Sequence, residues 1–148
     1  MVDSIKFKKA VFLDRDGVIN KAKVVNGLPF PPENSKKVFF VKDIELLISS
    51  LRNLNYKLIV ITNQPDVKRG KTTKSNVEAI NDYIKNYLKL DDFFICYHDN
   101  NDECQCRKPM PGMLFDAAKK HNISLKKSYM IGDRWKDINA GNVAGCKS

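Results

Sequence analysis

The chain of 148 residues has no long hydrophobic run. Its longest apolar stretches are about five or six residues, far short of the roughly 20 that cross a bilayer as a helix. The first residues, MVDSIKFKKAVFLD, hold no apolar core of a secretory signal, so a cytoplasmic protein is expected. There is no long basic tract and no arginine-rich arm. The net charge of +9 comes from scattered lysines. That charge fits a solvated lysine-rich surface, and equally the attraction of an anionic substrate. Few aromatic residues stand in the polar segments, which argues against a surface that stacks nucleic-acid bases.

Cysteine is scarce and unevenly placed. Three of the four lie at Cys96, Cys104 and Cys106, and the fourth is Cys146. With His98 the cluster reads C-x-H-x5-C-x-C. Three thiols and an imidazole suit tetrahedral Zn²⁺ with no open position. This is not the usual finger spacing, and reduced thiols beside an unrelated histidine are the other reading. A structural metal would stand in for the core that the polar residues 99–106 lack. Cys146 reads as a small packed residue and His121 as a solvated one.

The length suits one domain with a real core. AVFL at 10–13, KLIVIT at 57–62, FFICY at 93–97 and 129–131 read as buried strands. KVFFV at 37–41 reads as a short strand or an extended edge, and 20–37 as loop because of Gly27, Pro29, Pro31 and Pro32. Helices are expected after Asp43 as N-cap, after Thr73 or Ser75, from Pro111 in a first turn, and over about 136–145. Strands alternating with helices predict an α/β, Rossmann-like three-layer sandwich with a central parallel sheet. Right-handed crossovers then bring every strand's C-terminal end to one edge, where ligands bind.

Residues from four segments meet at that edge: Asp14, Arg15, Asp16 and Gly17; Thr62, Asn63 and Gln64; Arg107 and Lys108; Asp133, Arg134 and Asp137. Three carboxylates together repel, and a hard divalent cation such as Mg²⁺ resolves the conflict. Helix caps and turns are the alternative role for any single aspartate. If the first strand runs on through them, Asp14 and Asp16 point to one side. One can then attack while the other handles a proton. Thr62 and Lys108 opposite them can donate to a phosphoryl group.

DRDGVIN, VITNQ, RKP and GDRWKD resemble, in order and spacing, the four motifs of the haloacid dehalogenase (HAD) superfamily of phosphatases. The cysteine loop and TNQPDVKRG are similar to its small-capped branch, which holds histidinol-phosphate phosphatases and heptose 1,7-bisphosphate 7-phosphatases. The resemblance covers about residues 10 to 147. It implies a Mg²⁺-dependent phosphomonoesterase working through an aspartyl-phosphate. Asp14 is then the nucleophile and Asp16 the acid and base, with Asp14 starting ionised and Asp16 protonated. Thr62 and Lys108 stabilise the phosphoryl group. Mg²⁺ is held by Asp14, the Asp16 carbonyl and Asp133, with Asp137 in support. On the substrate side, Arg15 offers backbone contacts, Asn63 and Gln64 neighbour the phosphate pocket, and Arg107 contacts substrate away from the reacting phosphate. Zn²⁺ on Cys96, His98, Cys104 and Cys106 is structural and fixes the loop that presents Arg107 and Lys108.

The implied substrate is a small phosphorylated metabolite, first a D-glycero-D-manno-heptose 1,7-bisphosphate. Histidinol phosphate and a polynucleotide 3′-phosphate are the alternatives. A single HAD-like domain, 1–148, is expected, monomeric and without a separate cap. Relatives run on past the AGC segment into another apolar strand, so this chain is expected to lack one. The site should be open, shielded by the loop after the first motif, the PDVKRG loop and the zinc loop. Lys68 and Arg69 could meet a second phosphate or be plain surface charge.

Overall fold

The computed structural model describes residues 6–148. A parallel sheet of four strands is built from β1 (Lys9–Leu13), β4 (Tyr56–Asn63), β5 (Asp92–Cys96) and β6 (Tyr129–Ile131), in the order β5-β4-β1-β6. Each strand alternates its apolar side chains between two cores. Ala10, Phe12, Ile59 and Ile61 face α3 (Gly112–His121) and α4 (Trp135–Ala144). Val11, Leu13, Leu58 and Val60 face α1 (Ile44–Asn53) and α2 (Lys74–Leu88). A strand covered on both faces must be apolar throughout, which is why these segments read as unbroken runs. Each large side chain so buried contributes about 1.5–3 kcal/mol.

The connections explain where a site can form. From β1 the chain steps outward through β4 to β5, then returns to place β6 on the other side of β1. The strand order therefore reverses between β1 and β6, and such a reversal opens a crevice at the carboxyl ends of the strands. Asp14 leaves β1 there, its amide donating to the Ile131 carbonyl of β6 at 3.0 Å.

Several local expectations are corrected. The loop expected over 20–37 contains a hairpin, β2 (Lys23–Val25) and β3 (Leu28–Phe30). Its signal is Asn26-Gly27, both at positive φ (52° and 76°), the pair a tight two-residue turn requires. Of the two readings of KVFFV, the extended edge holds rather than the strand: after a 3-10 turn at Ser35–Lys37, Phe40 makes an antiparallel bridge to Asn20. Asp43 precedes α1 but sits in the left-handed region at φ 65° without a side-chain cap. Thr73 does cap α2, accepting from the Asn76 amide at 3.1 Å. Pro111 occupies the N-cap position of α3 rather than its first turn. His121 is half-buried and bonded to Asp92 at 2.7 Å, not simply solvated. Cys146 is packed in the core, as expected. Beyond β6, Lys147 pairs in parallel with Tyr129. Among the described residues no helix is long and apolar enough to cross a membrane.

Candidate active site

Lys108 is the hub of the site. Its buried ammonium donates to Asp14 Oδ1 at 2.9 Å, Asp137 Oδ1 at 2.6 Å and the Ile61 carbonyl at 2.8 Å. Those three bonds use all three of its hydrogens. The loop that delivers it is clamped by Asn63. The Asn63 side chain accepts from the Lys108 amide at 3.0 Å and donates to its carbonyl at 3.2 Å.

One ammonium faces an excess of carboxylate. Asp14, Asp133 and Asp137 each bring an oxygen within 4.8 Å of the others. Burial, with the charges of Asp137 and Asp16, pushes Asp14 up to about 6 against the opposing pull of Lys108. All-oxygen, carboxylate-rich donors are those a hard divalent cation takes, so this trio fits Mg²⁺. Glycine makes room for it. At Gly17, with φ +94°, a Cβ would stand 2.4 Å from Asp133 Oδ2. At Gly132 a Cβ would overlap Asp137. Asp137 does more than stand in support, because it holds Lys108 and also accepts from the Arg134 amide at the start of α4.

Asp16 is not part of that trio. The strand ends at Leu13, so the chain turns before Asp16 and the alternation that would align it with Asp14 stops. Its carboxylate accepts from Arg15 Nε at 3.1 Å, Asn20 Nδ2 at 2.9 Å and Gln64 Nε2 at 3.0 Å. Burial alone would raise its pKa, but the Arg15 charge and these donors hold it below the usual carboxylate range. The protein's own groups therefore raise Asp14 and lower Asp16; the expected order, with Asp14 ionised and Asp16 protonated, belongs to the site with Mg²⁺ on Asp14.

Arg15 was expected among the substrate contacts. Its side chain is fully buried and engaged by Asp16 and by Asn81 Oδ1 at 2.9 Å. The side chain acts on Asp16, which leaves only the backbone of Arg15 for the contacts expected of it. Gln64 bridges Asp16 to the buried Thr62, donating to Thr62 Oγ1 at 2.9 Å. The Thr62 hydroxyl therefore keeps its own hydrogen for another acceptor.

A cleft of about 280 Å³ opens over these groups. Asp14, Asp16, Asn63, Gln64, Arg107, Lys108 and Asp137 all line it. The end of the hairpin, Pro29 to Pro31, forms part of its wall, as expected of the loop after the first motif, and Arg134 lines it from the fourth segment. Two further cations, Lys71 and Lys136, had no signal in the sequence. Arg69 also lines the cleft, whereas Lys68 is turned to Asp102 at 3.7 Å. Phosphate-sized anions are the natural ligands of such a basic mouth.

Beside the cleft, Cys96, His98, Cys104 and Cys106 bring their donor atoms within 4.8 Å of one another. His98 Nδ1 is 3.4 Å from Cys96 Sγ and 3.1 Å from Cys106 Sγ. No disulfide joins the described cysteines. Four convergent soft donors fit a closed tetrahedral Zn²⁺ site. The loop runs straight into Arg107, which donates to the His98 carbonyl and to Asn100 Oδ1.

The chain is 38% identical to a D-glycero-beta-D-manno-heptose-1,7-bisphosphate 7-phosphatase of Helicobacter pylori, over 97% of this chain and 83% of the relative. The chain belongs to the heptose-1,7-bisphosphate 7-phosphatase family. A second relative, a D-glycero-alpha-D-manno-heptose-1,7-bisphosphate 7-phosphatase of Photorhabdus laumondii, is 36% identical over 93% of this chain and 78% of its own length. The HAD-hydrolase-like family model matches residues 105–148. The D,D-heptose 1,7-bisphosphate phosphatase of B. bronchiseptica, solved with magnesium and phosphate, superposes with a TM-score of 0.81. It is 29% identical, and the match covers 93% of this chain and 77% of that one. The protein is an enzyme, a phosphoric monoester hydrolase with the HAD fold. Both the α/β parallel-sheet architecture and the superfamily expected from the motifs are borne out.

Proposed function

We propose that this phosphatase removes the 7-phosphate of D-glycero-D-manno-heptose 1,7-bisphosphate through an aspartyl-phosphate on Asp14, with Mg²⁺ as cofactor and Zn²⁺ as a structural metal. The observation that carries the chemistry is the position of Asp14. Its carboxylate lies in the cleft at the strand-order reversal, 2.9 Å from Lys108 and within 4.8 Å of two further carboxylates. The substrate class rests on relatives of that name at up to 39% identity.

In the first half-reaction an Asp14 oxygen bonds to phosphorus as the bond to the sugar oxygen breaks. Asp16 delivers a proton to the departing alkoxide. In the second, Asp16 takes a proton from water as that water attacks phosphorus, and Asp14 is released with inorganic phosphate. Asp14 and Asp133, with Asp137 beside them, would hold Mg²⁺, which supplies positive charge against the phosphoryl oxygens and favours ionised Asp14. Lys108 and the free hydrogen of Thr62 face the same oxygens from the protein side. Asp16 reaches its acid form by leaving the Arg15–Asn20–Gln64 network, whose donors favour its charged form. Substrate docking excludes water and brings a dianion close, and both effects raise a carboxyl pKa.

Zn²⁺ on the three cysteines and His98 would fix the loop that carries Arg107 and Lys108. The test is phosphate release from both anomers of heptose 1,7-bisphosphate, histidinol phosphate and a 3′-phosphorylated oligonucleotide, with and without Mg²⁺. A Mg²⁺-dependent preference for a heptose anomer is expected. Preference for either of the other substrates overturns the assignment.

A further inference from the structure

Two arginines at the cleft mouth are held by side chains of the metal loop. Arg69, on the loop after β4, donates through Nε to Asp99 Oδ2 at 2.9 Å and through Nη2 to Asp99 Oδ1 at 2.6 Å. Arg107 donates through Nη2 to Asn100 Oδ1 at 2.6 Å and through Nη1 to the His98 carbonyl at 3.2 Å. Asp99 and Asn100 are neighbours, and they follow His98 of the Cys/His cluster directly. Asp99 is itself tied down, its amide donating to Asp102 Oδ2 at 2.8 Å.

Each guanidinium keeps donors in reserve. A guanidinium has five N–H groups in a fixed fork. Asp99 engages two of those on Arg69, and the nearest other carboxylate, Asp66, stands 3.6 Å from Nη1. Arg107 keeps its Nε–H and one hydrogen on each terminal nitrogen. Both residues line the cleft, beside Arg134 and Lys136. An unsupported arginine at a rim samples many rotamers, and ordering it on binding is unfavourable. A carboxylate that fixes it beforehand removes that term.

We propose that Asp99 is a positioning residue that sets Arg69, as its neighbour Asn100 sets Arg107, to receive the phosphate that is not cleaved. The inference rests on the bisphosphate reading above and deepens it. It gives the metal loop a second task, orienting two arginines across the mouth as well as presenting Lys108. The reacting phosphate lies at Asp14 and Lys108 and does not depend on either arginine's orientation. Loss of Asp99 should therefore act on substrate binding and only when the substrate carries a second phosphate.

The test compares wild type with Asp99→Ala and Asp99→Glu, using heptose 1,7-bisphosphate and p-nitrophenyl phosphate, with zinc content measured for each. In Asp99→Ala, KM for the bisphosphate should rise about two- to fivefold, the range set by a partly exposed ion pair. Its kcat, its zinc content and both constants for p-nitrophenyl phosphate should hold. Asp99→Glu, which keeps the carboxylate, should recover part of the loss. An unchanged KM, or an equal loss on both substrates accompanied by zinc loss, overturns the proposal. If wild type itself shows no preference for the bisphosphate, the substrate assignment fails first, and the inference fails with it.

Discussion

Asp14 and Lys108 depend on each other. Each is buried, and the ammonium that neutralises Asp14 also neutralises Asp137. Lys108→Met would leave two buried carboxylates without their cation, a change that costs about 3–5 kcal/mol. The expected result is a lower melting temperature in chelator-treated protein, with part of the loss restored by Mg²⁺. Thermal melts with and without the ion check it. A variant as stable as wild type in the absence of Mg²⁺ would contradict the pairing. Gly17→Ala tests the cation cradle from the other side. Its Cβ would displace Asp133 and require a left-handed φ, so Mg²⁺ affinity measured by titration should fall. The identity of these residues was legible in the sequence, because each follows a strand that had to be buried. Their orientation was not. The parity that would align Asp14 with Asp16 holds only while a strand continues, and β1 stops at Leu13. The burial of Arg15 was equally hidden, because its partner Asn81 lies on α2, far along the chain.

At the scale of elements, the apolar strands declared themselves because a sheet covered on both faces leaves no polar alternation to confuse with helix. The hairpin at 23–30 did not, because its strands are short, largely exposed and interrupted by Pro29. Only Asn26-Gly27 marked it, and that pair was outweighed by three prolines. The joint between α3 and β5 carries a pH prediction. Asp92 accepts from Lys120, His121 and the Phe93 amide. Burial alone would raise it, but these donors hold it below the usual carboxylate range. A carboxyl lowered in the folded state adds stability above its unfolded pKa of about 4 and loses it as pH falls through the folded value. Asp92→Asn should therefore flatten the acid limb of the stability–pH curve and leave the chain closer to wild type at low pH than at neutral pH. Denaturant midpoints across that range measure it. Thr73→Ala removes the cap of α2 and should cost about 1 kcal/mol in the same assay.

At the scale of the molecule, the sheet supplies a rigid edge and the loops supply recognition. Asp14 follows β1 directly and Thr62 and Asn63 end β4, whereas Arg69, Arg107 and Lys71 ride on loops. Metal on the Cys/His cluster is expected to order the segment from 97 to 107. Removing it with a chelator should increase amide exchange there and in Lys108, with the sheet core unaffected. Equal exchange in both states would deny the cluster a structural role. The fold class was readable from the order of strands and helices. The full cationic mouth was not, because Lys71 and Lys136 look like ordinary surface charge until the fold gathers them with Arg69, Arg107 and Arg134.

Rapid quench of the Mg²⁺-loaded enzyme during turnover, followed by peptide mass analysis, looks for the covalent phosphoryl group on Asp14 itself. A phosphoryl group is expected on the peptide carrying Asp14. Asp14→Asn should form none and lose turnover by about 10⁴-fold or more, the scale of losing a nucleophile. Turnover with no phosphorylated peptide, or an Asp14→Asn enzyme that still releases phosphate at the wild-type rate, would contradict covalent chemistry on Asp14.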